Sequence, residues 1–561
     1  MKKFSKIFIA LFTVSTCSYA QKEEVPKGWH LMDKMTNGYY GVSADKAYSF
    51  LKSKNLKSKT VIVAVIDSGI DTLQEDLKSI LWTNPKEIPG NGIDDDNNGF
   101  IDDVHGWNFI GGKDGRNVKE DSYEAARVYH SLKDKWADKE VVVNKLSVAE
   151  KAEYEMFLKS QGKVVGEGGG NSAFQIIFLK RMNVNLIKSD SILRNAIGKE
   201  IYTGKELDAY TTRSLEEKKA KETLLTLMKT NDSLDQTNKE FLDGLSEYIA
   251  GEDRKEESKN NPPKPFRKEI VGDDETNLNE RNYGNNDIMA STPMHGTHCA
   301  GIIGAIRNNG KGMDGIADNV RIMMIRAVPD GDEHDKDIAN AIRYAVDNGA
   351  QIISMSFGKD FSPQKQWVDD AFRYAESKNV LLVHAAGNDA KDVDTADNFP
   401  NPVYVDGKGR AGNIITVGAS GDPKTGGLTA SFSNYGKKEV DVFSPGVRIY
   451  STLPGGNQYG NLQGTSMACP LVAGIAALTL EYFPNLTAKQ LKYIIEKSAQ
   501  QPDIKVKKPG SDDLVNLIDI SKTGGIVNAY EAVKLASTFR GEQIPVSVKL
   551  PKSKLIKKKR A

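Results

Sequence analysis

The sequence predicts an α/β fold: a mostly parallel sheet with helices on both faces, interrupted by a mainly helical insertion. Three observations carry this. The run Val61-Ile62-Val63-Ala64-Val65-Ile66 is continuous and β-branched, as in a strand buried on both faces. From Asp287 to about Ser537, apolar strands alternate with amphipathic helices, the pattern of a parallel sheet. Between about Lys113 and Glu280 that alternation stops. There Lys and Glu rise, and apolar residues recur at helical spacing, as along Leu224, Leu227 and Met228.

In chain order, the first twenty residues read as a targeting segment. Lys2, Lys3 and Lys6 precede an apolar run, Ile7 to Val14, too short to span a bilayer. Ser18-Tyr19-Ala20 then offers small residues for signal peptidase, with Gln21 as the mature start. A rival reading makes Cys17 a lipid-anchored first residue, but Thr16 stands where such signals usually carry Gly, Ala or Ser. Either reading places the chain outside the inner membrane, secreted, periplasmic or at the cell surface. Past residue 20 no apolar run is expected to approach the ~18 residues of a membrane span. Only three cysteines occur; without Cys17, Cys299 and Cys469 remain, too few for a disulfide framework.

The strand from Val61 leads through a turn and a helix into a long acidic loop ending near Ser122. Residues 113–280 form the expected insertion, with a break at Gly166 to Gly170 and a stiff linker, NNPPKP, at Asn260 to Pro265. Beyond it come a strand Val320 to Val328, a helix Asp337 to Asn348 and a strand Gln351 to Phe357. A helix Trp367 to Ser377 and strands Val380 to Ala385 and Asn413 to Ala419 follow. The domain reading is therefore 21–112 with 281–537 as one unit, 113–280 as the insertion, and 538–561 as a basic, solvated tail. With 76 basic and 75 acidic residues, no global field points to nucleic acid or a membrane surface. A content of 39% hydrophobic residues excludes a disordered chain.

Three short stretches carry chemistry: VIDSGID at 65–71, HGTHCAG at 295–301 and GTSMACP at 464–470. They supply an acid, two candidate bases and a nucleophile in the order Asp, His, Ser. Asp67 sits where the buried strand ends, the usual place for sites in parallel sheets. Asp71 is the runner-up and reads as a turn residue. A phosphate-binding loop is the other alternative, but the glycine spacing of the common nucleotide motifs is missing. Ser466 reads as lying in the first turn of a buried helix running to Phe483, where an ordinary helix cap is the alternative. Free amides at that end favour a developing oxyanion. Pro470 is expected to be tolerated because early helix amides lack internal partners. Chemistry alone barely separates His295 from His298.

Taken together the stretches resemble the subtilisin family, over roughly residues 28 to 112 and 281 to 537. The resemblance implies a subtilisin-like fold and a serine endopeptidase hydrolysing peptide bonds of proteins through an acyl-enzyme at Ser466. Asp67 and His295 would be the base relay, since the family motif makes the first histidine the base and leaves His298 a buried structural role. The stretch HAAGN at 384–388 resembles the one whose Asn amide donates to the oxyanion, which makes Asn388 the fourth catalytic residue. Ser356, Phe357 and Gly358 resemble the segment that pairs with the substrate backbone. The opposite edge lies near Asp330 to Glu333. There the carboxylates Asp330, Asp332, Glu333 and Asp335 would favour basic residues before the cut. A catalytically silent binding scaffold on the same fold is the alternative function. Polypeptides are the expected partners, nucleic acid is not, and oligomeric state is not legible.

The loop Asp94, Asp96, Asn98, Gly99, Phe100 and Asp102 matches positions 1, 3, 5, 6, 7 and 9 of a helix-loop-helix calcium loop, with Phe100 offering its carbonyl. His105 replaces the final Glu, and Asp103 is a further candidate ligand. Hard oxygens and a glycine at the turn suit structural Ca2+; an Asx-rich turn is the alternative. Similar loops occur in some subtilisin-like proteases, and Asp76 lies near another family calcium position. No organic cofactor is expected. Cys299 and Cys469 each lie close in sequence to a site residue, either able to pair or simply small and buried.

Overall fold

The computed structural model describes residues 25–541, apart from 167–172, 232, 235 and 291. The targeting segment, part of the Gly166 to Gly170 break and most of the basic tail lie outside the described residues. Seven parallel strands form the main sheet. They are β1 (Val61–Asp67), β2 (Gly106–Asn108), β3 (Val320–Arg326), β4 (Ile352–Met355), β5 (Leu381–Ala385), β6 (Ile414–Ser420) and β7 (Val442–Pro445), in the order β2-β3-β1-β4-β5-β6-β7. A separate hairpin joins β8 (Ile449–Leu453) to β9 (Gln458–Leu462).

The alternation of β1 explains why both faces are covered. Val61, Val63 and Val65 pack against the Met294–Gly304 and Thr465–Tyr482 helices. Ala64 and Ile66 face the other way, toward the helices Asp335–Asp347 and Lys365–Ser377. Registers bring the strand ends together. Asp67 lies opposite Arg326, Ile66 opposite Met355, and Met355 opposite His384. The loops that follow β1, β3, β4 and β5 therefore emerge at one carboxyl edge, where parallel sheets place their sites.

Two strands stop earlier than their apolar runs. The expected strand 320–328 ends at Arg326, because the amides of Ala327 and Val328 turn to the Asp67 carbonyl. The expected strand 351–357 ends at Met355; the carbonyl of Phe357 accepts instead from the His384 ring. Strands β2, β7, β8 and β9 were not anticipated; they are only three to five residues long. The helix Thr465–Tyr482 also corrects an expectation. It is 18 residues long and apolar enough to cross a membrane, yet 89% of it is buried inside this fold.

Between residues 124 and 257 the long described elements are helices, Glu124–Trp136, Val148–Val164, Ala173–Ile197, Leu215–Thr230 and Asn238–Glu257, with a short helix Gly204–Ala209 among them. Capping boxes at Ser147 with Glu150 and Thr237 with Glu240 fix two of their starts. Leu186, Leu193, Leu224, Met228 and Leu245 build a core of their own. A second cluster joins Ala126, Tyr129 and Phe157 to Phe361 beyond β4. The Asn238–Glu257 helix is pinned at one end by Arg254, 3.0 Å from Asp330 and 2.9 Å from Glu120. Near its other end, Glu240 stands 3.5 Å from where a Cβ on Gly460 of β9 would lie.

Candidate active site

Asp67 ends β1 with its carboxylate nearly sealed from solvent, and the two oxygens lie 2.8 and 2.9 Å from Nδ1 of His295. The Ser68 amide donates to the same carboxylate at 2.7 Å and fixes its orientation. His295 stands in the first turn of its helix, which reaches the strand end only because residue 296 is glycine. A Cβ there would lie 2.2 Å from the Gly69 carbonyl. Burial works to lower the imidazole pKa, but the Asp67 carboxylate outweighs it and raises the value well above the ordinary one. His298, one turn later, is fully buried, bonds to the Gly460 carbonyl at 3.2 Å and is pushed by burial down to about 3. Asp71 accepts from the amides of Leu73, Gly455 and Gly456, joining two turns.

Ser466 is the second residue of its helix. Its hydroxyl donates to the Ser356 carbonyl at 3.2 Å, and the Ser356 hydroxyl donates back to the Ser466 carbonyl at 3.0 Å. The Cys299 thiol lies 3.4 Å from that carbonyl and 3.9 Å from Nδ1 of His295, so it sits between the two halves of the site. This corrects the account of Pro470. Four residues into the turn after Ser466, an ordinary residue would donate its amide to the Ser466 carbonyl. Proline cannot, and Ser356 and Cys299 satisfy the orphaned oxygen in its place. Cys299 and Cys469 are both buried free thiols.

Asn388 lies three residues beyond β5. Its Oδ1 accepts from the amide and hydroxyl of Thr465, at 2.9 and 3.0 Å. Because the Thr465 amide can only donate, the carboxamide must present Nδ2 on its other side. Among the described residues, neither Nδ2 of Asn388 nor the Ser466 amide has a protein acceptor. Both groups border one point: where a Cβ on Gly464 would sit is 3.5 Å from the Ser466 nitrogen and 3.7 Å from both Nδ2 and Oδ1 of Asn388. Glycine at 464 keeps that point open. The Gly387 amide in turn donates to the Thr465 hydroxyl at 3.1 Å, tying the loop to the helix start.

Beside the site, residues 356–359 alternate. Phe357 gives its carbonyl to His384, and Lys359 exchanges both backbone bonds with Phe399. Gly358 is exposed and has no backbone partner among the described residues. Along the expected opposite edge, Asp330 and Asp332 bond to Lys119, Asp121 and Ser122, so Gly331 alternates in the same way. The acidic loop around it is not free for basic substrates, contrary to expectation. Asp330 pairs with Arg254, Asp332 accepts from the Glu124 amide, and Asp335 pairs with Lys359. Glu333 is buried, and burial raises its carboxyl to about 8, so it is mostly neutral at pH 7.

In the 94–102 loop the carboxylates of Asp94 and Asp96 come together with that of Glu87, all ligand atoms within 4.8 Å. Glu87 lies outside the loop's own span, so its spacing gave no signal. Asp102 is a correction: its oxygens are held by the amides of Gly90, Asn91 and Gly92, and it faces that turn instead. Asn98 accepts from the Phe100 amide and donates to Asp103, while the Phe100 ring packs against Trp107 and Tyr344. Asp103 is raised by burial to about 6 and bonds to Asn84, Asn98 and Tyr344. Asp76 bonds to Asn309 and Tyr459.

The model of the subtilase family matches residues 58–516. The chain belongs to the subtilase family. Among curated subtilases, it is 40% identical over 245 residues to the thermophilic serine proteinase of Bacillus sp. (strain AK1), covering 43% of this chain and 52% of that protein. It is 37% identical over 254 residues to thermitase of Thermoactinomyces vulgaris, covering 44% of this chain and 77% of that protein. It is 36% identical over 208 residues to subtilisin DY of Bacillus licheniformis, covering 36% and 70%. The chain thus spans about half the length of the first of these relatives. The strands β1, β3, β4 and β5, and the site loops that follow them, lie within the region that the subtilase model matches.

Proposed function

We propose that this subtilase is a serine endopeptidase that cleaves proteins through an acyl-enzyme at Ser466. The observation that carries the reading is the grip of Asp67 on Nδ1 of His295. It makes Nδ1 the protonated nitrogen and leaves Nε2 as the acceptor. Ser466 turns from the Ser356 carbonyl, gives its proton to Nε2 and attacks the scissile carbonyl. The oxygen that becomes negative is received by the Ser466 amide and Nδ2 of Asn388. The tetrahedral species collapses to an ester on Ser466 as the proton passes from His295 to the leaving amine. Water then repeats the sequence, with His295 again as base, and frees the acid and the serine. Asp67 orients the ring and stabilises its charged form throughout. The substrate is held as an extended strand between Gly331 and the segment Ser356, Phe357, Gly358, where the Gly358 backbone groups have no partner among the described residues.

Structural calcium is part of the proposal. Glu87, Asp94 and Asp96 supply hard oxygens, and one oxygen of Glu87 is buried without a partner among the described residues. The ion would neutralise their mutual repulsion and stiffen the loop that precedes β2. The basic and apolar start of the chain supports export.

Fluorophosphonate labelling tests the function. The wild-type protein should be labelled and Ser466→Ala should not. A folded wild-type protein that takes no label would overturn the peptidase reading in favour of a silent scaffold.

A further inference from the structure

The helical insertion meets both proposed edges of the cleft: Arg254 pairs with Asp330, and a second contact involves Lys359. Glu124, the first residue of its Glu124–Trp136 helix, accepts from Nζ of Lys359 at 2.8 Å. Arg127, one turn on, clasps the same carboxylate at 2.7 Å. Lys359 also pairs with Asp335 and donates to the Glu333 carbonyl, both at 2.8 Å. Arg127 donates to that carbonyl too, at 3.2 Å. The knot is buried: Lys359 is 2% accessible and Glu124 8%.

Its position follows from the alternation along the two edges. Lys359 directly follows Gly358, and Glu333 lies two residues beyond Gly331. Ser356, which exchanges bonds with Ser466, sets the register. An extended chain antiparallel to 356–359 has the residue before the cut opposite Ser356 and the third opposite Gly358. The fourth then stands opposite Lys359, with its side chain on the same face as the lysine. The Glu333 carbonyl, the next inward group on the far edge after Gly331, is already taken.

Resting on the peptidase reading above, we infer that Lys359, held by Glu124 and Arg127 of the insertion, closes the channel at the fourth residue before the cut. That subsite takes a small side chain and excludes a large one. The insertion is therefore a specificity element of the cleft. An ion pair desolvated on both sides is costly to break, because either partner left alone is an uncompensated buried charge. A bulky substrate residue cannot push it aside without that loss.

The test is a set of internally quenched peptides identical except for Ala, Leu or Phe at the fourth position before the cut. The wild-type protein should cleave the Ala peptide at least about tenfold faster than the Phe peptide in kcat/KM. In the paired variant Lys359→Met with Glu124→Gln, which removes opposite charges together, that ratio should fall toward one. Equal cleavage of the Ala and Phe peptides by the wild-type protein would overturn the inference, and this needs no variant to fold. A folded, probe-labelled paired variant that keeps the full discrimination would overturn the assignment to this knot. Cleavage of none of the peptides together with no labelling of Ser466 would instead strike the peptidase reading itself, and this inference with it.

Discussion

Ser466 and Ser356 exchange hydrogen bonds, hydroxyl to carbonyl in both directions, at 3.2 and 3.0 Å. One of these bonds exists because Pro470 cannot donate to the Ser466 carbonyl. The proline thus couples the Ser466 helix to the segment 356–358, the proposed substrate edge. Ser356→Ala should leave that carbonyl with only the weak Cys299 donor, at a cost of about 1–3 kcal/mol. The expected result is a lower Tm and a kcat reduced about tenfold, with the Ser466 hydroxyl still able to react with the probe. Pro470→Ala restores the helical amide; it should hold or raise Tm while lowering kcat. An unchanged kcat in both variants would show that the coupling has no role in turnover.

The acid limb of the pH profile should lie high. His295 must be neutral to accept a proton, and Asp67 raises its pKa above the ordinary value against the opposing effect of burial. Protonation at low pH therefore removes the base. The midpoint of the kcat/KM limb, which reports the free enzyme, should lie above about 6.5. Asp67→Asn should move that limb down and cut kcat by about 10⁴, since the wrong tautomer is then favoured. A limb at or below the ordinary histidine value in the wild-type protein would count against the Asp67 effect.

Asn388→Ala removes one of the two proposed oxyanion donors and should lower kcat by about 10²–10³ with little change in KM. Gly464→Ala places a methyl group on the point that the Ser466 amide and the Asn388 carboxamide both border and should be at least as damaging. Steady-state kinetics on one peptide separate the two parameters. A loss confined to KM would remove Asn388 from the oxyanion role.

Calcium should raise Tm, and chelation should lower it; saturation at 100 times Kd is worth about 2.7 kcal/mol. Glu87→Gln and Asp94→Asn should abolish the calcium-dependent part of the shift. Asp102→Asn should lower Tm equally with and without calcium, because it loosens the 90–92 turn. Calcium-dependence lost in Asp102→Asn but retained in Glu87→Gln would reverse the ligand assignment.

The fold class was legible because β1 and the later strands advertise burial on both faces through unbroken apolar runs. Asp67, His295 and Ser466 stood out because each lies in a short contiguous motif; that Asp67 reaches His295 is a fact of how the Met294–Gly304 helix packs on β1 and of glycine at 296. Glu87 was invisible because it joins Asp94 and Asp96 from outside their loop. Asp102 was misplaced because a loop pattern counts positions and cannot see that a positive φ turns the residue toward other amides. The charges at 330–335 read as an exposed acidic run, yet their partners, Arg254, Glu124 and Lys359, lie far away in sequence. Side chains that settle one another across long separations leave no local pattern.

The order of synthesis gives the sheet a particular history. β1 is complete when the chain reaches Asp67, but its two neighbours begin only at Val320 and Ile352. At an elongation rate of about 5–20 residues per second, that interval lasts tens of seconds. Throughout it, an unbroken apolar strand has no edge to join, while the intervening helices can already bury their own core. Asp67 is thus made early and His295 late, so the newborn chain carries a sticky segment before it carries the proposed reactive one. Any protection of that strand acts in this interval, before the proposed active site has been made.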